Sequence, residues 1–325
     1  MDSFIYSLNA TVPVFLVMII GNILNRTGMI NRQFSNVADK LVYKVCLPCM
    51  LYLNLADTDI RKNFDVFYVG YCVFVTLTSI LVIWGMAKIL MKEKAMVGAF
   101  VQGSYRSSAA ILGIAFIANI YGTSEMAPLM IIGSVPLYNV FAVLVLTIES
   151  QAFQNQDEEM SQSKIVGQKL KKATIGVAKN PIIIGILLGI IASYFRITLP
   201  PMLEKTVSNF GVLATPLALL SIGASFEGRK AVAKIKPTII ASSLKLIGLA
   251  AIFLPLAIWI GFRDEKLIAL IIMLASPCTP TAYIMAKNMK GDATLASSII
   301  VVTTFFSSIT LTGWIFLARL FDLVK

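Results

Sequence analysis

The chain has 325 residues, of which 57% are hydrophobic and only 14% charged, with 28 Lys+Arg against 17 Asp+Glu and no histidine. A soluble chain covers its surface with about a quarter charged residues, so a soluble globular protein is excluded, and the missing histidine excludes His-based triads and HExxH zinc sites. Stretches of about 20 apolar residues, each enough to cross a hydrocarbon core of about 30 Å, recur along the chain and define an all-α polytopic membrane protein.

Ten helices, spans 1 to 10, are predicted near 8–25, 37–56, 65–89, 95–120, 124–149, 179–195, 205–226, 237–261, 266–287 and 292–319. Span 1 has no basic region before it and no small-residue cleavage pattern after it, so it reads as a helix and not a signal peptide. In span 2, Cys46 and Cys49 flank Pro48. With Cys72 of span 3 they read as small buried hydrophobes and not a redox or metal pair. Lys44 lies one turn before Pro48, and Pro48, Pro216 of span 7 and Gly113 of span 4 are read as helix-break or structural positions.

Span 4, QGSYRSSAAILGIAFIANIYG, carries Gly103, Ser104, Ser107 and Ser108 around Arg106. A charge at that depth is a functional-site hypothesis by default. No acidic residue lies in the core of any span to pair with it: Asp39 and Glu149 fall at helix ends, Asp65 and Glu125 near the interface. The guanidinium fork suits a carboxylate; snorkelling or bonding to freed carbonyls is the other reading. Lys44 is a weaker candidate, and Lys245, in the first half of span 8, is placed to snorkel inward. The polar, charged stretch 150–178 reads as a solvated linker.

Span 9 holds LASPCTPTAYIMAKN, with Pro277 and Pro280 among Ser276, Thr279 and Thr281. Proline has no N–H and its ring clashes with the carbonyl four residues back, which frees the carbonyls of Met273 and Ser276. A freed carbonyl in hydrocarbon costs roughly several kcal/mol. Span 9 is therefore expected to be broken, its gap lining a cavity.

The two halves of the chain repeat. Pro13 pairs with Pro181, Gly21 with Gly189, Pro48 with Pro216, Asn119 with Asn288, Gly122 with Gly291 and Ala127 with Ala296, at a spacing constant to within one residue. Five helices per copy is odd, so the second copy enters the membrane from the opposite side. The expectation is two inverted five-helix repeats, 1–150 and 179–325, joined by a cytoplasmic linker at 151–178, with substrate and ion sites near mid-membrane. Spans 4 and 9 are repeat counterparts. Two broken, crossing helices bring two half-helix N-termini to one place, which suits an anion. With the N-terminus outside, the inside loops collect Arg26, Arg32, Lys40, Lys88, Lys92, Lys94, the lysines of 164–179, Arg229, Lys230, Lys234, Lys236, Lys287 and Lys290. The outside segments hold the smaller set Arg61, Lys62, Arg196, Lys205, Arg263, Lys266, Arg319 and Lys325. That excess predicts both termini outside a cell (plasma) membrane crossed many times. The net charge of +11 is then accounted for by lysines facing anionic lipid, with no nucleic acid.

The stretches RSSAAILGIAFIANIYG at 106–122, TPLALLSIGASFEG at 215–228, ASPCTPTAYIMAKN at 275–288 and VVTTFFSSITL at 301–311 resemble the auxin efflux carrier family, in the branch that holds malate and malonate permeases, and the resemblance spans all ten helices. It implies a scaffold of spans 1, 2, 6 and 7 and a transport domain of spans 3–5 and 8–10 that moves like an elevator. It also implies substrate at the crossing of spans 4 and 9, and a homodimer. Pro277 matches the crossing proline of span 9, and Lys40 a basic residue of span 2. The chain departs from the family in span 4, with Ser108 where Asn is frequent and Ala115 where proline is.

The reading is a secondary transporter of a small organic anion, a carboxylate such as malate. Arg106, Ser107, Ser108, Ser276, Pro277, Thr279, Pro280 and Lys44 are its candidate substrate-binding residues. No metal and no cofactor are expected beyond a possible coupling ion, H+ or Na+. Two alternatives are a sodium-coupled carrier of an amphipathic organic acid and a membrane ligand sensor that moves nothing. No His, no intramembrane Asp pair and no G-x-S-x-G elbow support an enzyme.

Overall fold

The computed structural model describes residues 2–56, 65–109, 117, 120–121, 126–154 and 179–324, and these are all helix or connection, without a strand. Helix α1 is Asp2–Arg26, α2 is Arg32–Leu41 and α3 is Leu47–Ala56, the last two joined by a π-turn at Val42–Cys46. Then come α4 (Val66–Leu90), α5 (Lys94–Tyr105), α6 (Met126–Gln154), α7 (Pro181–Phe195) and α8 (Pro201–Ser225). After the short α9 (Gly228–Ala233) run α10 (Ile235–Ser243), a second π-turn at Leu244–Gly248, α11 (Leu249–Ile260), α12 (Asp264–Ala275), α13 (Thr281–Asn288) and α14 (Ala293–Leu320). Among the described residues, five helical stretches are long and apolar enough to cross a membrane: Val66–Leu90, Met126–Glu149, Pro201–Ser225, Ile235–Ile260 and Ala293–Leu320. The outer faces are apolar, with Leu16, Ile19 and Ile23 on α1, Leu187 and Ile191 on α7 and Phe305 and Ile309 on α14 exposed, as lipid-facing surfaces require.

Helix ends follow local chemistry. The Asn31 side chain accepts the Phe34 N–H at 2.8 Å, Asp65 accepts that of Tyr68 at 2.9 Å and Asp292 that of Leu295 at 2.9 Å, each satisfying one orphan donor of a first turn. The Asn31 cap starts α2 at Arg32, earlier than predicted, so Asp39 lies late in that helix and not at its start, and it is buried.

Two expected helix breaks are corrected. Pro216 lies inside α8, which runs without interruption. Ahead of Pro48 the helix widens instead of breaking: the Leu47 N–H reaches back five residues to Val42 O, the bond of a π-turn. Gly113 and Ala115 lie outside the described residues, as does the linker from 155 onward; α6 extends to Gln154 before it. The four cysteines are unpaired, with Cys46, Cys72 and Cys278 buried.

Two groups of helices pack closely. In one, α1 lies on α8 and α3 on α7 and α8. Their backbones touch, since a Cβ on Gly185 would stand 2.6 Å from the Pro48 carbonyl oxygen, the approach that small residues allow between membrane helices. In the other, α4 and α5 pack on α6, and α10, α12 and α13 on α14. Between the groups, α14 also meets α1, and α13 meets α8 and α2.

Candidate functional site

The site is built where two spans lose their helical form. Helix α12 makes its last turn with Ser276 N–H to Ile272 O at 3.1 Å. Ser276 is extended and α13 restarts at Thr281 behind Pro280. Pro277 and Pro280 thus interrupt span 9 as their chemistry requires. In span 4, α5 ends at Tyr105, and 106–108 are non-helical. The break begins later than expected, because Gly103 and Ser104 stay helical. Gly103 serves packing instead: a Cβ there would lie 2.6 Å from Ile299 Cδ1 of α14.

The two gaps are stitched together. The Ser108 N–H donates to Pro277 O at 3.0 Å, the Ser107 hydroxyl to Ile272 O at 3.3 Å, and the Ser107 and Ser276 hydroxyls share a short hydrogen bond. The Ser108 N–H and the Pro277 carbonyl, which lie outside regular helix, are thereby paired across the crossing, as a dry interior demands.

Arg106 sits at this meeting point and is only 3% exposed. Its Nε donates to Thr279 Oγ1 at 2.9 Å, and Thr279 Oγ1 shares a hydrogen bond of 2.6 Å with Thr281 Oγ1. Nη2 donates to Asn139 Oδ1 of α6, whose amide is held by its own Nδ2 donating to Val135 O at 2.8 Å. Nη1 faces Gln102 Oε1 at 3.5 Å and Met285 Sδ at 3.1 Å. Every one of these acceptors is neutral, and among the described residues no carboxylate forms an ion pair with Arg106. The guanidinium neither snorkels nor binds the carbonyls freed by the prolines.

One of those carbonyls, that of Met273, belongs to Lys245. Its Nζ donates to Leu274 O at 2.6 Å and Met273 O at 3.2 Å, and Tyr138 OH also donates to Met273 O, at 3.4 Å. Lys245 is 0% exposed, so its expected snorkelling to the inside face is overturned. The π-turn Leu244–Gly248 that carries it turns the side chain inward.

A cavity of about 40 Å³ opens beside Arg106, with Ser107, Ser108, Thr279, Pro280 and Thr281 in its wall together with Met50, Leu51 and Asn54 of α3, Tyr138 and Asn139 of α6 and Thr215 of α8. It therefore lies between the two helix groups, with room for about one water molecule. Ser276 and Pro277 are in the crossing but not in this wall. Lys40 and Lys44 are exposed on α2 and the first π-turn, apart from the cavity. Asn139, Gln102 and Tyr138 were missed in the sequence reading. Asn139, an amide in the apolar run PLYNVFAV, carried a legible signal; Tyr138 and Gln102 needed the fold.

A larger cavity, about 420 Å³, lies two turns along α13, between its Tyr283 and Lys287, the start of α14 and the ends of α1 and α8. Lys287 Nζ stands 2.6 Å from Asp39 Oδ2, close enough for an ion pair but off the hydrogen-bonding direction, since neither Asp39 oxygen has a well-aligned donor. Asn288 Nδ2 donates to Asp39 O at 3.3 Å. Arg32 and Lys230 both face Glu227, at 3.6 and 2.7 Å. Asp39 is a buried carboxylate that the expectation of no deep acid did not foresee.

Apolar helices long enough to span a bilayer, with a polar centre at two apposed helix interruptions, define a multi-pass α-helical membrane protein. A family model described as "Membrane transport protein" matches residues 6–315. The chain belongs to this family, the auxin efflux carriers, and is a membrane transporter. A relative from Methanothermobacter thermautotrophicus, described as an uncharacterized transporter, is 20% identical over 317 residues, covering 96% of this chain and 98% of that protein.

Proposed function

We propose that the protein is a secondary carrier of a small organic anion, a carboxylate such as malate, which Arg106 receives at the crossing of spans 4 and 9. The observation that carries this is the buried guanidinium held by neutral acceptors only. An isolated buried charge is costly, and it persists where partners of opposite charge arrive. A carboxylate displacing Asn139 or Thr279 would give Arg106 the bidentate partner it lacks, with the Ser108 and Thr281 hydroxyls in the same wall.

Ten spans in two inverted repeats form the architecture of this reading, with both termini outside and a homodimer in the cell membrane. The spacing of the paired prolines and glycines supports the repeats, and the distribution of Lys and Arg supports the orientation. Alternating access proceeds by an elevator step. The close backbone contacts of α1, α3, α7 and α8 favour one rigid group, and the second group, which carries both helix interruptions, slides along it. A cavity of about 40 Å³ between the groups is too small for a dicarboxylate, so α3 and α8 must draw back for substrate to enter.

The test is uptake of radiolabelled malate into proteoliposomes of purified protein, under proton and sodium gradients imposed separately. Saturable uptake that Arg106→Ala abolishes is the expected result. Ligand-dependent stabilisation without uptake would favour a sensor, and uptake unaffected by Arg106→Ala would remove Arg106 from the site.

A further inference from the structure

The membrane interior holds a second cation that anion recognition leaves unused. Lys245 is fully buried and donates to the carbonyls of Leu274 and Met273, at 2.6 and 3.2 Å. Both carbonyls lack a helical donor, for reasons that the sequence sets. Met273 would be served by residue 277, a proline. Leu274 would be served by the Cys278 N–H, which donates instead to Thr303 Oγ1 of α14 at 3.2 Å. Two unserved carbonyls at the C-terminal end of a half-helix, where the helix dipole places negative charge, form the kind of site at which carriers hold Na+. Here the place is filled by an ammonium on a covalent tether.

Three further features show that the position is built. The lysine comes from the π-turn Leu244–Gly248, whose extra residue re-aims a side chain. The Leu246 carbonyl of that turn is met by the Trp314 indole N–H at 3.0 Å. Tyr138, in the wall of the Arg106 cavity, donates to the same Met273 carbonyl that Lys245 holds. Among the described residues, no carboxylate forms an ion pair with Lys245, so the α12 carbonyls are what balances its charge.

We propose that the Lys245 ammonium is a built-in cation at the position where a coupling metal ion would bind, so that the transporter moves its anion without sodium. The inference rests on the anion-carrier reading for its transport arm only. Its structural arm is independent of any substrate.

The experiment compares wild type and Lys245→Ala, full-length and purified, by thermal unfolding in sodium, ammonium, methylammonium and choline chloride. The wild type should melt at the same temperature in all four. Lys245→Ala leaves two carbonyls facing a vacancy of cation size. Its melting temperature should fall in choline and rise saturably with ammonium or methylammonium, as expected for a ligand that binds only the folded state. A wild type stabilised by sodium over choline would overturn the proposal, as would Lys245→Met matching wild type in choline. Should Lys245→Ala fail to fold, wild-type malate uptake in sodium-free choline buffer decides: retention within about twofold supports the proposal and a loss beyond about tenfold overturns it. If no carboxylate is transported at all, the Arg106 reading fails while the unfolding comparison still tests Lys245.

Discussion

At the scale of single residues, two buried cations are resolved in opposite ways. Lys245 meets backbone carbonyls that no helical N–H serves, whereas Arg106 meets side chains that can yield to a ligand. Truncating one partner of a buried, hydrogen-bonded charge pair costs about 2–5 kcal/mol. Arg106→Ala should therefore lower uptake by about two orders of magnitude. Its melting temperature should stay near wild type, because a buried cation without an acidic partner adds little to stability; a large drop would assign Arg106 a structural role. Asn139→Ala removes the acceptor of Nη2 but leaves the charge. We expect an apparent affinity weaker by about tenfold with maximal rate retained, as for loss of ground-state positioning, and a concentration series of uptake reads the two separately.

At the scale of elements, the prolines create the site and the caps hold its ends. Pro277→Ala with Pro280→Ala restores the N–H groups that would serve Met273 and Ser276, so α12 and α13 should join and span 9 should close over the gap. Uptake should fall by at least about tenfold; unchanged apparent affinity would show that the gap does not depend on these prolines. The N-cap of α4 is tied to the first turn of α12, since Asp65 Oδ2 lies 2.6 Å from Lys266 Nζ. That hydrogen bond, then the one from the Tyr68 N–H, holds the Asp65 carboxyl below its ordinary value. A depressed carboxylate stabilises the fold at pH values above its unfolded pKa of about 3.9 and loses that contribution as the pH falls through the lower folded value. Asp65→Asn should accordingly be less stable than wild type at neutral pH, and the difference should vanish in acid. A difference independent of pH would remove the ion pair from the account.

At the scale of the whole molecule, Asp39 and Lys287 join the two helix groups. α2 carries the acid and α13, one stretch of helix beyond the Arg106 crossing, carries the base. With Asn288 Nδ2 on Asp39 O, they tie α13 to α2 beside the larger cavity, which Lys287 lines. Asp39→Asn removes the charge that clamps α13 to α2. In a background without native cysteines, Ser108→Cys should then react several-fold faster with a maleimide added from the side of the larger cavity. Unchanged labelling would show that the pair is no clamp.

Much of this was legible in order along the chain. Apolar length placed the five membrane-length helices of the described residues to within a few residues, because crossing hydrocarbon leaves the backbone only the helix. Pro277, Pro280 and the serines around Arg106 marked the interruptions, because a missing N–H is a local fact. Only tertiary structure decided what fills those interruptions. Whether a freed carbonyl is met by a lysine from another span, or a guanidinium by an asparagine, depends on which faces the packing brings together. The same holds for Pro48 and Pro216, since a π-turn and a continuous helix both accept proline when neighbouring helices support them. It holds also for Asp39, whose depth followed from a cap at Asn31 and from the approach of α13. The sequence by itself determined class, the five membrane-length helices of the described residues and the interruption at Pro277 and Pro280. Packing decided which charges stay in the membrane and what answers them, because hydrogen bonds across the bundle join residues far apart in the chain.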